Sequence, residues 1–223
     1  NAGGTKNVAL GNYALDALTS GDDNTALGYN AMTGATTGSN NTVVGKDAAA
    51  GATITGSNNT AIGKDAMSAL TTGGNNVSVG NSALIAITTG TENVAIGFEA
   101  MRLVTTASSN VAIGNEALEN NVAANNVAVG TKALRANTSG TQNTAVGTEA
   151  LKTMTTTEGQ TAVGWKALEL SVGNYNTAIG TECMNDATGA GNCTGVGYHA
   201  LRLLTTGAQN TALGMQALYS NTD

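Results

Sequence analysis

Apolar and polar positions along this chain recur with a period of 17 residues. Aligned on one glycine, the repeat appears thirteen times, at Gly11, Gly28, Gly45, Gly63, Gly80, Gly97, Gly114, Gly130, Gly147, Gly164, Gly180, Gly197 and Gly214, with spacings of 16 to 18. The residue before this glycine is aliphatic in every copy (Leu10, Leu27, Val44, Ile62, Val79, Ile96 onward to Leu213), and the residue three before it is always Val or Thr. Between them stands Ala in ten copies, otherwise Val43, Ser78 or Gly195. That alternation predicts a short strand in each repeat. Side chains in a strand alternate between its two faces, so the Thr/Val and aliphatic columns share one face and the Ala column the other. The first is read as the greasy face of the coil, the second as a flat face against which another chain packs closely.

An Asn opens the pentapeptide in eleven copies, with Gln160 and Cys193 in the other two. An amide at a turn corner bonds to backbone or to the equivalent amide of the adjacent repeat, so this column predicts a ladder. After the glycine comes a second block, with Ala three residues on in twelve copies (Cys183 in the other) and Leu or Met four on in twelve (Ala49 in the other). Ala100, Met101 and Val104 give an i, i+1, i+4 set, and the neighbouring EALK and EAMR segments favour helix. A helical turn therefore competes with a second strand there. Thr follows eight residues after the glycine in eleven copies, with Val122 and Val172 as exceptions, and carries the chain back to the next Asn.

Strands that recur at a fixed period with no reversal run parallel. The fold class expected is all-β or β-rich: a parallel β-solenoid, or β-roll, of about thirteen 17-residue coils, forming one repeat domain over residues 1–223. At about 4.8 Å per rung the stack would span roughly 60 Å. A coil stack this thin buries little apolar area per residue against roughly 1.5 kcal/mol of ordering entropy each, which predicts association with other chains. Composition agrees. The 223 residues hold 35 Thr, 27 Asn and 30 Gly but one Trp, one Phe and no Pro, with aromatics at 3% and charged residues at 11%. Such a chain cannot close one large core, while its 41% apolar content and thinly spread charge of −6 argue against disorder.

Charge and cysteine bound the function. A pI near 4.6 with no basic cluster excludes nucleic-acid binding on electrostatic grounds. No apolar stretch reaches the roughly 20 residues of a membrane span, and the opening NAGGTKN lacks the regions of a signal peptide. The chain begins at Asn1 without Met and ends at Asp223 within a repeat, as expected for a processed or excised piece of a longer fibre. Cys183 and Cys193 match neither a zinc spacing nor a redox pair and read as small residues filling repeat columns. Two residues after the glycine runs a charged column, Glu99, Glu116, Lys132, Glu149, Lys166, Glu182, whose alternating signs would fall within reach on stacked rungs and tune register by about 0.2 to 1 kcal/mol a pair.

The segments NVAIGFEA (Asn93 to Ala100) and NTAVGTEA (Asn143 to Ala150) resemble the head repeats of YadA-like trimeric autotransporter adhesins, and equally the repeats of bacteriophage tail fibres. Repetition over essentially the whole chain carries the resemblance. It implies a left-handed parallel β-roll, three chains about a common axis, and an extracellular role as an adhesive head or fibre on a bacterial surface or virion. The adhesin repeat is shorter, and the extra residues here fall in the Ala–Leu block. The lack of a heptad stalk or membrane anchor leaves both adhesin and phage fibre open, and the nearly unbroken repeat with no anchor within the chain favours a phage-type shaft segment.

Catalytic, cofactor and metal residues are expected to be none. Asp47/Asp65 or Glu99/Glu116 could stack about 5 Å apart, near a retaining-glycosidase spacing, as a tailspike-like glycan-degrading enzyme would need, but their column also holds Lys132, Lys166 and His199 and reads as a solvated face. His199 is the sole histidine, and Asp22 and Asp23 read as loop residues. An ice-binding β-solenoid is the alternative of another class; it would need Thr-x-Thr on one face, whereas Thr71-Thr72, Thr88-Thr89 and Thr105-Thr106 are adjacent. Exposed aromatics just after the glycine, Tyr29, Phe98, Trp165 and Tyr198, would suit a host-surface glycan or protein receptor. Asn40-Asn41-Thr42 and Asn58-Asn59-Thr60 follow from the turn and imply no glycosylation.

Overall fold

A computed structural model describes residues 4–220; Asn1 and Asp223, the ends from which a longer parent is expected, lie outside them. Backbone contacts divide the chain into two compact units, Asn1–Asn110 and Val111–Asp223. The first carries β1 (Val8–Leu10), β2 (Thr25–Leu27), β3 (Thr42–Val44), β4 (Thr60–Ile62), β5 (Val77–Val79) and β6 (Val94–Ile96). The second carries β7 (Val111–Ile113), β8 (Val127–Val129), β9 (Thr144–Val146), β10 (Thr161–Val163), β11 (Thr177–Ile179), β12 (Thr194–Val196) and β13 (Thr211–Leu213). Within each unit consecutive strands pair in parallel, so each is a parallel β-solenoid with one three-residue strand per coil. Ile62 faces Val79, and Val79 faces Ile96, in the single file the 17-residue period requires.

The faces of the strand are the reverse of the sequence expectation. From β2 onward the middle residue is buried, and Ala26, Ala61, Ala95, Ala145 and Ala178 have no exposed surface. Its aliphatic neighbours point outward, with Leu27 at 43% and Ile96 at 38% exposure. A seventeen-residue coil is too narrow to hold branched side chains on both walls. The interior therefore takes methyl groups from the strand, while the opposite wall supplies the Ala and Leu/Met columns, buried as Ala31, Met32, Ala66, Met67, Ala150 and Leu151. The Ala column consequently offers no face to another chain.

The Ala–Leu block is neither helix nor strand. No helix forms among the described residues. Residues two and four after the glycine sit in the left-handed region, as Glu99 (φ 54°) and Met101 (φ 52°) or Glu149 (φ 60°) and Leu151 (φ 51°) do, and so does the residue before the ladder Asn, as Asn75 (φ 59°) does. Backbone hydrogen bonds explain why helix propensity loses. The N–H of Met32 donates to Ala48 O (2.9 Å) and that of Leu151 to Ala167 O (3.0 Å), both on the next coil, and a helix would withdraw these donors from the stack. Left-handed backbone at a Leu or Met costs on the order of 1 kcal/mol, offset by burial of a whole side chain worth about 1.5–3 kcal/mol.

Glycine is obligatory at the repeat anchor. Gly80 has φ +137°, and a Cβ there would lie 2.5 Å from Gly97 O, inside contact distance of the next coil. Coil-length changes are absorbed in the return. In the 18-residue coil after Gly45, Ala52 at the aligned position is exposed, and Ile54 fills the interior instead, bridging to Ala35. The two 16-residue coils carry buried polar side chains, Asn121 and Ser171, seven residues after the glycine, a position that is apolar in most other repeats. Asn121 satisfies the shortened turn, donating from Nδ2 to Ala123 O (2.6 Å) and accepting from Ala123 N (3.3 Å) and Asn137 Nδ2 (2.8 Å).

Candidate functional site

Three side-chain files run along the coils, and each has its own chemistry. The amide file is internal from Asn24 to Cys193, with Asn7 and Asn210 half-buried. Asn76, with no exposed surface, donates from Nδ2 to Asn59 Oδ1 (3.1 Å) and Gly90 O (2.9 Å), while its Oδ1 accepts the backbone N–H and Nδ2–H of Asn93 (3.0 and 3.1 Å). The same pattern links Asn24, Asn41 and Asn59, and in the second unit Asn126 and Asn143. Gln160 continues it, accepting at Oε1 from Asn176 N, and Cys193 accepts at Sγ from Asn210 N at 3.3 Å. The ladder expected from the sequence is present, and it is structural, since its side chains from Asn24 to Asn176 are buried and bonded from coil to coil.

Both cysteines are free and buried. Burial pushes the Cys183 thiol up to about 11, so it is a protonated core group. Gly195 stands opposite it in place of the usual Ala, where a Cβ would lie 2.8 Å from Cys183 Sγ.

The charged file lies beside the strand face. Of the neighbouring pairs that the alternating column predicts, Glu149–Lys166 (3.6 Å) is the one found within ion-pair distance among the described residues; His199 Nε2 also lies 2.8 Å from Glu182 on the adjacent coil. A second column five residues after the glycine, not singled out in the sequence, joins it. Lys152 reaches Glu149 (3.1 Å) and Glu169 (3.5 Å), Arg135 reaches Glu116 (2.9 Å) and Glu119 (2.8 Å), and Arg202 reaches Glu182 (2.8 Å). The turn conformation brings residues two and five after the glycine together, an approach that strand-like spacing hides. The Lys152 hydrogen bond holds the Glu149 carboxyl below its ordinary range, and Glu169 holds the Lys166 ammonium above its own.

The carboxylates weighed as catalytic pairs are each engaged with a cation. Asp47 accepts from Lys46 Nζ (2.6 Å) and Asn30 Nδ2 (2.9 Å), and Asp65 from Lys64 Nζ (2.5 Å); Glu99 faces Arg102 (3.6 Å) and Glu116 faces Arg135. The Lys46 hydrogen bond lowers the Asp47 carboxyl, and Asp22 is lowered by Thr5, whose N–H donates to its Oδ1 at 2.6 Å. Among the described residues no group of three or more His, Cys, Asp or Glu is placed to hold a metal, and no helix is long and apolar enough to cross a membrane. A depression of about 340 Å³ lined by Asn120, Arg135, Ala136, Lys152 and Thr153 overlies these paired charges.

The third file faces solvent. It joins the aliphatic residue before the glycine (Leu27, Ile62 and Ile96 in the first unit; Ile113, Val146 and Ile179 in the second) to the Thr or Val two positions earlier. Beside it stand the aromatics Tyr29, Phe98, Trp165 and Tyr198 at 45–48% exposure, as the sequence implied. Thr71 and Thr88 belong instead to the return turn, where their hydroxyls donate to Thr88 O (3.0 Å) and Thr105 O (3.2 Å) of the next coil. The Thr of the strand face is partnered by an aliphatic side chain, not by a second Thr. No family model and no curated protein matches the chain.

Proposed function

We propose that this chain is a structural and adhesive fibre segment, a shaft or head element of a phage tail fibre or surface adhesin, that works outside the cell as a homotrimer and has no chemistry of its own. One observation carries the reading. The outward position before each anchor glycine is Leu, Ile or Val in all thirteen coils, although it is half-exposed in the monomer and the inward Ala column already fills the core. Strand propensity accounts for single aliphatic residues here, but an unbroken exposed apolar stripe through every coil is the kind of surface that another surface covers. Two or more further copies covering this file would supply the apolar burial that a lone thin coil stack lacks. The number three, and the choice of phage fibre or adhesin, rest on the resemblance of NVAIGFEA and NTAVGTEA to those repeats.

Light scattering on the purified chain tests the reading, and the expected mass is three times the 22.0 kDa of one chain. Ile96→Asp together with Ile179→Asp should reduce that mass to one chain while leaving the far-ultraviolet dichroism of each coil stack unchanged. A wild-type mass of one chain at micromolar concentration overturns the assembly. Thermal hysteresis separates the ice-binding alternative: none is expected here, and a clear signal would replace the fibre reading.

A further inference from the structure

We propose that the second unit binds a neutral linear glycan along the file Trp165, Thr181 and Tyr198. These residues directly follow Gly164, Gly180 and Gly197, and their backbones stack, Glu182 N–H donating to Trp165 O (2.8 Å) and His199 N–H to Thr181 O (3.1 Å). Trp165 and Tyr198 are 45% and 47% exposed and stand two coils apart, about 10 Å at the parallel-strand rise. The backbone ladder fixes the two Cα positions at that spacing, so the main chain needs no rearrangement on binding.

One side of each ring is already occupied. Lys166 Nζ lies 5.0 Å from the Trp165 ring centroid, and the His199 imidazole stacks on Tyr198 at 3.6 Å and 21°. Both occupants come from the charged file, so polar groups line the aromatic track. An extended pyranose chain advances by about one coil spacing per sugar. Its first and third rings then lay their C–H faces on Trp165 and Tyr198, while the second spans Thr181 and the hydroxyls meet Lys166, Glu182 and His199. The charges there are matched, Lys166 and Lys152 against Glu149 and Glu169 and Arg202 against Glu182 (2.8 Å), so the track favours a neutral sugar over an anionic one.

The seam proposed for trimer assembly is a different surface. A seam repeated in every coil must be apolar in every coil, as the position before the glycine is. The position after it holds Lys46, Lys64, Asn81, Asn115 and Thr131 elsewhere, so it stays solvated and its aromatics serve a local purpose. The inference deepens the attachment part of the proposed function by naming a ligand class.

Trp165 is the only tryptophan in the chain, which makes its emission the assay. The full chain is titrated with glucose and N-acetylglucosamine oligomers of one to six residues, in β-1,4 and α-1,4 linkage. At least one series should give a saturable change with a trisaccharide Kd of about 1 mM or tighter, and about tenfold weaker binding of its monosaccharide. Tyr198→Ala should abolish the gain from monosaccharide to trisaccharide, and Phe98→Ala should change nothing. The proposal is overturned if no oligomer shifts the emission, or if Tyr198→Ala binds trisaccharide as tightly as wild type. A trimer that binds no sugar loses only this inference; a monomer that binds sugar loses only the assembly.

Discussion

Replacing Asn76 with Ala isolates what the amide file contributes. Its side chain is fully buried and makes four hydrogen bonds, two from Nδ2 and two into Oδ1. Alanine leaves Asn59 Oδ1, Gly90 O, and the backbone and amide N–H of Asn93 each short of a partner in a dry interior. At a net of about 1 kcal/mol per lost bond the stack should lose about 3–5 kcal/mol. Urea unfolding of the whole chain reads this as a lowered midpoint, and amide exchange reads it locally, since Asn93 N–H should lose protection first. Asn81→Ala is the reference, because Asn81 is exposed and its Oδ1 accepts only a surface bond from Ser82 Oγ (2.7 Å); its change should stay within about 0.5 kcal/mol. A loss below about 1 kcal/mol for Asn76→Ala, or an unchanged Asn93 exchange rate, would refute the ladder as a main support. The same reasoning makes Cys193→Asn stabilising, by about 1 kcal/mol, because the thiol there makes only long contacts, donating to Gly207 O at 3.4 Å and accepting from Asn210 N at 3.3 Å.

Three further outcomes follow from the geometry. Gly80→Ala should cost about 3 kcal/mol or more in urea unfolding, since it meets both a +137° φ and a carbonyl 2.5 Å from the new methyl, whereas Gly189→Ala, whose nearest neighbour would be 3.2 Å away, should cost about 1 kcal/mol or less. Because the Glu149 carboxyl is lowered in the fold, its contribution is fully present above its ordinary 4.5 and is lost as pH falls through the lower folded value. Lys152→Met should therefore shrink the difference in urea midpoint between neutral pH and about pH 3, by an amount typical of exposed pairs, about 0.2–1 kcal/mol. Neither thiol should react with an aromatic disulfide reagent at neutral pH until the chain unfolds, since both are buried and Cys183 is pushed up to about 11; rapid native labelling would contradict their place in the core.

Much of this architecture is legible in the primary structure because stacking makes one coil the template of the next. The Asn column could be read as a ladder, since eleven amides stand at one position of the repeat, and the exposed aromatics could be read because their column is otherwise polar apart from Met215. Less legible were pairings created by backbone geometry. Arg135, Lys152 and Arg202 join the charged file only because left-handed residues two and four after the glycine fold the intervening chain back, as Lys132 (φ 59°) and Leu134 (φ 52°) do. A Leu in that conformation is rare in isolation, and helix propensity points elsewhere. Compensation within the core is visible once the inward columns are known: the coil with Val43 for Ala also has Ala49 for Leu or Met, and Gly195 gives up a methyl beside Cys183.

The period, the parallel register and the identity of each column were set by sequence, because a repeat that pairs with itself has one alignment that keeps every column matched. Which side of the strand became the interior was decided only in three dimensions. Alternation distinguishes two faces without saying which is inside, and a coil of seventeen residues has width for alanine methyls against Leu or Met but not for Ile against Leu. The turn conformation followed from the same confinement, since only backbone that sends its N–H groups to the adjacent coil keeps the thin stack bonded throughout.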